Sequence, residues 1–112
     1  MPEISWEDFE KVDIRVGRVI EAGPFPEARK PSIKLVVDFG AEVGTRRTSA
    51  QLMAHYAPEM LLGKQVVAVI NFPPKRIAGF KSEVLVLGVP DENGGVVLLT
   101  PDYEVPSGGR MF

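Results

Sequence analysis

The 112-residue sequence contains no cysteine and one histidine, His55. Without cysteine there is no disulfide bond, no thiolate nucleophile and no thiolate metal ligand, which fits a reducing compartment and predicts a cytoplasmic protein. One histidine without cysteine rules out a Cys–His pair and argues against a histidine-based metal site. We therefore expect no catalytic residue, no metal and no cofactor, and we interpret His55 as a partly exposed helix residue.

Long apolar runs and nucleotide-binding glycine motifs are also missing. No stretch approaches about eighteen consecutive apolar residues, so we expect no membrane insertion. The N-terminus lacks the basic-then-apolar pattern of a secretory signal. Neither GxGxxG nor GxxxxGK[ST] occurs. Together with 45% hydrophobic and 25% charged residues, these absences predict one non-enzymatic globular domain over residues 1–112.

The net charge of −2 conceals an uneven distribution of charge along the chain. Residues 29–81 carry 9 basic and 3 acidic side chains, whereas residues 1–28 carry 3 and 7, and residues 82–112 carry 1 and 5. A phosphate that docks on the central segment meets mainly positive charge, because fields from the two ends are screened beyond about 8–10 Å. Chance segregation of solvated charge explains the same counts, so charge alone leaves an RNA partner open.

Runs of alternating or continuous apolar residues predict that the chain is mainly β-structure. The predicted strands are residues 12–21, interrupted at Gly17 by a bulge or a sharp bend, then 33–39, 45–49, 65–71, 82–89 and 96–100. Ser5 and Asp8 predict a short capped helix, and residues 50–62 have a helical pattern that Pro58 divides. A helix between the third and fourth strands indicates an all-β fold with short helices, the five-stranded Greek-key OB barrel. The N-terminal helix and the C-terminal hairpin and tail are extensions of that barrel.

The stretch from residue 71 to 82, NFPPKRIAGFKS, mixes three cations with two aromatic rings and is predicted to link the fourth and fifth strands. In an OB barrel this loop and the loop between strands 1 and 2 frame the oligonucleotide face. Here the two loops carry Lys75-Arg76 and Arg29-Lys30, which are suited to phosphate contacts. The neighbouring residues Arg46 and Arg47 point to opposite faces of a strand, so at most one reaches a ligand, and the sequence leaves open which one.

Three stretches resemble the tRNA-binding-domain family: VDIRVGRV at 12–19, PEAR at 26–29 and NFPPKRIAGFKSEVLVLG at 71–88. That family includes the C-terminal domain of bacterial methionyl-tRNA synthetases and small free-standing relatives. The 71–88 run and TSAQ at 48–51 are most similar to its CsaA-like, export-related chaperones. The resemblance covers roughly residues 5–110. It implies an OB-fold homodimer that binds tRNA by structure and, in CsaA-like members, unfolded or pre-secretory polypeptides.

The resemblance also implies a set of RNA contacts. The candidates are Lys30, Asn71, Lys75, Arg76, Lys81 and Ser82, followed by Arg15, Arg47 and Ser49. The first loop departs from synthetase-type members, which usually read Asp-Lys after Pro-Asp-Ala, because Arg29-Lys30 follows Pro26-Glu27-Ala28 here.

The residues themselves also favour dimerisation. Strands that are apolar on both faces need a cover that so small a chain cannot supply, and an isologous interface would provide it. The side chains expected in that interface are Trp6, Phe9, Met111 and Phe112.

Three functions remain open from the sequence. One is a homodimeric tRNA-binding protein with chaperone or protein-export activity, and another is primarily a peptide-binding secretion chaperone with incidental RNA affinity. The third is a structural subunit that docks on a synthetase. A chaperone would use an apolar groove whose expected lining is Phe72, Phe80 and Met53. Core or interface packing is the simpler explanation of the two phenylalanines, and in RNA binding an aromatic ring can stack on a base.

Overall fold

A computed structural model describes all 112 residues, beginning with an extended segment and a short helix, α1 (Trp6–Glu10). The predicted capping box is confirmed: Ser5 Oγ accepts from the Asp8 N–H at 3.1 Å, and the Asp8 carboxylate accepts from the Ser5 N–H at 3.2 Å. A helix of one turn is not stable alone, so it depends on packing. Phe9 provides it by contacting the outer side of the sheet.

The remaining elements form an antiparallel barrel. They are β1 (Ile14–Pro24), β2 (Ile33–Asp38), α2 (Gly40–Val43), β3 (Thr45–Ala50), α3 (Pro58–Leu61), β4 (Gln65–Val69), β5 (Lys75–Ile77), β6 (Phe80–Ser82), β7 (Leu85–Val86), β8 (Gly88–Pro90) and β9 (Val96–Leu98). The main sheet has the order β3-β2-β1-β4-β7, while β5–β6 and β8–β9 are separate hairpins. None of the three helices has the length and apolar character that a membrane crossing requires.

The barrel is nearly closed by the chain between β6 and β7, which returns to β3. The Glu83 N–H donates to the Arg47 carbonyl at 2.8 Å, and Thr48 Oγ1 donates to the Val84 carbonyl at 2.7 Å. Inside, β2 alternates as predicted, with Ile33, Leu35 and Val37 almost completely buried. The predicted five-stranded OB-type barrel is therefore confirmed.

Gly17 does not form the predicted bulge. Strand β1 runs through it, and the register shift lies three residues later, between Val19 and Glu21. A Cβ atom at Gly17 would lie 2.5 Å from Val37 Cγ1 and 2.8 Å from Phe39 Cδ1. Glycine is needed there because core side chains pack directly against the strand backbone.

The prediction of helix over residues 50–62 is correct only for α3. The first part is one hydrogen-bonded turn, in which the Tyr56 N–H donates to the Leu52 carbonyl at 3.0 Å. Pro58 holds Ala57 in an extended conformation, φ −104° and ψ 155°, which ends that turn. Gly63 follows α3 with φ +83°, as expected of a residue just past a helix end.

The stretch from residue 71 to 89 also differs from its prediction. The expected loop contains the hairpin β5–β6, whose turn residues Ala78 and Gly79 both have positive φ, 48° and 81°. The expected continuous strand 82–89 is divided among β6, β7 and β8. The division arises because Glu83 and Val84 bond to β3, whereas Leu85 and Val86 pair with β4.

The chain covers part of the apolar surface that we expected a partner to cover. All five residues of β4 are buried, and the outward pair Val67 and Val69 packs with Phe9 and Leu87 of the same chain. Contrary to expectation, β4 therefore needs no cover from a second chain. Apolar side chains remain exposed at the N-terminus, the C-terminus and the β7–β9 region.

Candidate nucleic-acid interface

The loop between β1 and β2 and the hairpin β5–β6 line one groove of about 1240 Å³, which we call the main groove. Its cations are Arg29 and Lys30 from the loop and Lys75 and Arg76 from the hairpin. Other predicted residues in its lining are Ser49, Phe72 and Ser82. The structure thus brings together the two basic segments that lie more than forty residues apart in the sequence.

A smaller groove of about 420 Å³ adjoins the main groove, and we call it the second groove. The two share Glu27, Arg76 and Ala78. The other residues of the second groove are Phe25, Lys34, Arg47, Gly79, Phe80 and Lys81. Lys34 lines this groove although the sequence did not single it out as a ligand contact.

The register of β2 and β3 decides between the two adjacent arginines. Arg47 pairs with Val36, and Ser49 pairs with Lys34, so these residues share the outer face of the barrel. Arg46 pairs with Val37, whose side chain is completely buried in the core. Arg47 is therefore the arginine on the groove side.

The cations of the molecule divide into two groups by their ion pairs. The four basic residues outside residues 29–81 each lie within 4.0 Å of a carboxylate; they are Lys11, Arg15, Arg18 and Arg110. None of the nine inside that segment has such a partner, and seven of them line the two grooves. The grooves also contain the acids Glu27 and Glu83, but Glu83 Oε1 accepts from the Arg47 backbone N–H at 2.9 Å.

Asn71 lies outside both grooves, although the family resemblance implied an RNA contact. Its Oδ1 accepts from the Asp13 N–H at 2.9 Å, and its Nδ2 donates to the Lys11 carbonyl at 2.7 Å. The amide therefore ties the segment between α1 and β1 to the end of β4. We do not include Asn71 in the RNA site because both ends of its side chain have partners in the fold.

Arg15 also has structural partners and lies in neither groove. Its Nε donates to Asp13 Oδ1 at 2.7 Å and its Nη1 to the Gly108 carbonyl at 3.2 Å, with the side chain only 13% exposed. The hydrogen bond from Arg15 lowers the pKa of Asp13, and the same bond raises the pKa of Arg15. Arg15 therefore fastens the C-terminal tail to β1.

The three residues expected in a peptide groove do not share one. Phe72 is about half exposed and lines the main groove, whereas Phe80 lines the second groove. Met53 is exposed but lines neither groove. Phe80 instead meets Phe25 edge to face, with ring centroids 5.3 Å apart.

The residues expected in a dimer interface lie on α1 and the C-terminal tail. Trp6 and Phe112 are strongly exposed, Met111 is partly exposed and Phe9 is half-buried. The tail is fixed next to α1 and the start of β1, because Arg110 Nη2 donates to the Glu10 carbonyl at 2.6 Å.

His55 is partly exposed, as expected, but it lies in a turn and not in a helix. Its Nε2 lies 2.5 Å from Asp91 Oδ2, which links this turn to the β8–β9 hairpin. The hydrogen bond from His55, with backbone hydrogen bonds from Asn93 and Gly95, lowers the pKa of Asp91. No group of three or more His, Cys, Asp or Glu side chains is arranged to hold a metal ion.

Comparison with known proteins identifies the family. Residues 14–110 match the family model described as a putative tRNA binding domain. The crystal structure of chaperone CsaA from Bacillus anthracis str. Ames is 53% identical, with a TM-score of 0.93 over 99% of this chain and all of that one. The MetRS related protein from Pyrococcus horikoshii is 33% identical, with a TM-score of 0.87 over the full length of both chains.

Longer proteins contain a similar segment. The methionine–tRNA ligase of Archaeoglobus fulgidus is 41% identical over 109 residues, which are 97% of this chain and 16% of that enzyme. The corresponding enzyme of Methanocaldococcus jannaschii is 37% identical over 99% of this chain. The chain spans about one sixth of the length of these curated relatives. From the family match and these relatives together, the chain belongs to the putative tRNA-binding-domain family.

Proposed function

We propose that this chain is a non-catalytic, cytoplasmic, homodimeric protein that recognises the backbone and the shape of tRNA. The observation that carries the proposal is the convergence of two basic segments on the main groove without a carboxylate to pair them. The family model, named for tRNA binding, and the methionine–tRNA ligase relatives support the same partner.

Unpaired cations favour a polyanion because no internal ion pair must be broken before a phosphate binds. Each phosphate contact releases a condensed counterion, and that release is independent of base sequence. Phe72, about half exposed, is the aromatic side chain in the main groove that can stack on an unpaired base. The main groove is therefore suited to recognising the path of the sugar-phosphate backbone in a folded RNA.

Dimerisation extends this surface. The exposed side chains of Trp6, Met111 and Phe112 lie on α1 and the adjoining tail, where a second copy would cover them. Two copies would present two sets of grooves to one tRNA.

Changing Trp6 and Phe112 together to glutamate should give a monomer in analytical ultracentrifugation, and a variant that sediments like the unmodified protein would contradict this interface.

A chaperone activity is the second candidate, and two observations favour it. The chain is similar to CsaA chaperones from two organisms, at 53% and 47% identity over nearly their full length. About half of the residues that line the main groove are apolar, including Phe72 and Ile77. We infer that an unfolded or pre-secretory polypeptide would bind through these apolar residues, which adds a role in protein export.

A titration with total tRNA tests the main proposal. Replacing Lys75 and Arg76 together by glutamine should weaken binding of all tRNAs alike, by roughly tenfold or more, because two phosphate contacts are lost. Lys64→Gln is the matched control, since Lys64 is also unpaired but lines neither groove. If the double variant binds tRNA as the control does, the groove is not the RNA site.

The chaperone candidate is tested on the same preparations. Substoichiometric to equimolar protein should suppress aggregation of an unfolded precursor, and this should change little between 50 and 200 mM salt because apolar contacts are not screened. Aggregation that proceeds unchanged at equimolar protein would count against a chaperone role and leave the tRNA proposal untouched.

A further inference from the structure

We propose that the second groove is a separate phosphate site, in which Lys34 and Arg47, resting on Phe80, bind a phosphodiester of the same RNA strand that occupies the main groove. This inference rests on the proposed tRNA binding. It adds Lys34 as a contact residue, Phe80 as a positioning residue and an anion as the ligand of this groove.

The first observation is the environment of the Lys34 ammonium. Its Nζ lies 4.6 Å from the ring centroid of Phe25 and 5.0 Å from that of Phe80. It has no carboxylate within 4.0 Å and makes no hydrogen bond within the chain, although the residue is half-buried. Aromatic rings hold a cation in place but leave its N–H donors unused.

The second observation is that the half-buried ring of Phe80 already contacts two cations and another ring. Arg47 Cζ lies 5.5 Å from the centroid of Phe80, so that ring carries two cations and meets Phe25 edge to face. A base cannot stack where those cations lie. The groove therefore favours an anion over a base stacked on Phe80.

The charge of the groove supports the same ligand. Lys34, Arg47, Arg76 and Lys81 line it together with one acid, Glu27. An arginine guanidinium can donate two parallel hydrogen bonds to phosphate oxygens, and a lysine ammonium acts as a compact point charge. Both groups can bind a phosphodiester. A groove with four cations and one carboxylate keeps a positive balance after any internal pairing.

The third observation is continuity with the main groove. Arg76 and Ala78 line both grooves, and Lys34 pairs across the strands with Ser49 of the main groove. The boundary is the hairpin turn, where the ideal Cβ position of Gly79 has no atom within 4 Å. No side chain therefore blocks the space next to Gly79, where a nucleic-acid strand would pass between the grooves.

The test is a tRNA titration at several salt concentrations with Lys34→Gln, with Lys64→Gln as the control. Loss of one phosphate contact should weaken binding by roughly three- to tenfold near 0.1 M salt. It should also reduce the slope of log affinity against log salt by about 0.7–0.9. Lys64→Gln should change neither quantity.

A double-mutant cycle tests whether Phe80 positions Lys34. Phe80→Leu should weaken tRNA binding by roughly threefold, and Phe80→Tyr should restore it, because the tyrosine ring again supports both cations. Adding Lys34→Gln to Phe80→Leu should cause less loss than the two separate effects combined. Fully additive losses would assign Phe80 a packing role only.

The two proposals fail in different ways. If the unmodified protein does not bind tRNA at 50 mM salt, the proposed function is wrong and this inference falls with it. If Lys75→Gln with Arg76→Gln weakens binding while Lys34→Gln matches the control in affinity and slope, only the second phosphate site is wrong.

Discussion

The basic residues at the two ends of the chain and those in its middle differ in whether a carboxylate pairs with them. At the ends, all four are ion-paired, and Arg15 and Arg110 also donate to backbone carbonyls that hold the tail against β1 and α1. In the middle, nine lack a carboxylate partner and seven face the two grooves. The comparison teaches that residue type alone does not distinguish these cations, whereas carboxylate partners do: every basic residue that lines a groove lacks one, and all four at the ends have one.

This difference is also the reason that we propose RNA binding for a chain with a negative net charge. The net charge is −2, but some of the acidic side chains form ion pairs with basic residues near the ends of the chain. Asp13 pairs with Arg15, and Glu104 pairs with Arg18. Fields of exposed charges are screened beyond about 8–10 Å, so a phosphate in a groove would respond mainly to the charges that line it.

The largest expected effect tests the paired region. Asp13→Ala removes the carboxylate that faces Arg15 and Arg110. The mostly buried Arg15 guanidinium then keeps only the Gly108 carbonyl and the more distant Glu42 carboxylate, 3.8 Å from its Nη2. Unfolding free energy should fall by about 2 kcal/mol in urea denaturation. Affinity for tRNA should stay unchanged. A loss of tRNA affinity with unchanged unfolding free energy would show that this paired region binds RNA and does not stabilise the fold.

The next prediction changes the unpaired region by adding a carboxylate next to one of its cations. Ser49→Glu places a carboxylate opposite Lys34 and gives the middle region the kind of partner that the ends have. Affinity for tRNA should fall by roughly tenfold, because a cation is paired and a negative charge is added. Ser49→Gln is the control of equal size, and equal affinity of the two variants would show that Lys34 does not face the RNA.

Acid titration sharpens the account of the paired region. The pKa of Asp13 in the fold is lowered from its ordinary value of 3.8, so its stabilisation is fully present above that pH and is lost as pH falls through the lowered pKa. The difference in unfolding free energy between the unmodified protein and Asp13→Asn should therefore be constant above about pH 5 and shrink below pH 4. A difference that grows on acidification would contradict the ion pair.

The smallest effect concerns an exposed pair. Lys11 Nζ lies 3.5 Å from Asp8 on α1, and both side chains are more than half exposed. Lys11→Gln should lower the unfolding free energy by only about 0.3 kcal/mol, because such pairs are well solvated, and should leave tRNA affinity unchanged. A change in affinity as large as that of a groove lysine would show that pairing does not separate the two groups.

The sequence predicted the barrel and the two basic segments because those features are local. Alternation in β2 and the short NFPPKR segment can be read without knowing any distant contact. The roles of Asn71 and Arg15 could not be read this way, because their partners lie 58 and 93 residues away. A family resemblance gave them RNA contacts, and the fold uses both side chains internally.

Two other features were missed for related reasons. The β5–β6 hairpin turns at Ala78-Gly79, and alanine with positive φ is a weak signal compared with the usual Asn-Gly. Lys34 looks like any outward strand residue until the hairpin places Phe80 beneath it. Gly17 gave a signal that was misread, since glycine in a strand marks either a bulge or a close approach, and only packing decides.

The most direct test of the central claim is the salt dependence of tRNA binding by the unmodified protein. If most of the seven groove cations each contact one phosphate, the slope of log affinity against log salt should be about −4 to −6, so affinity should fall several hundredfold or more between 50 and 200 mM salt. A slope between 0 and about −1 would show that the unpaired cations do not bind the RNA backbone.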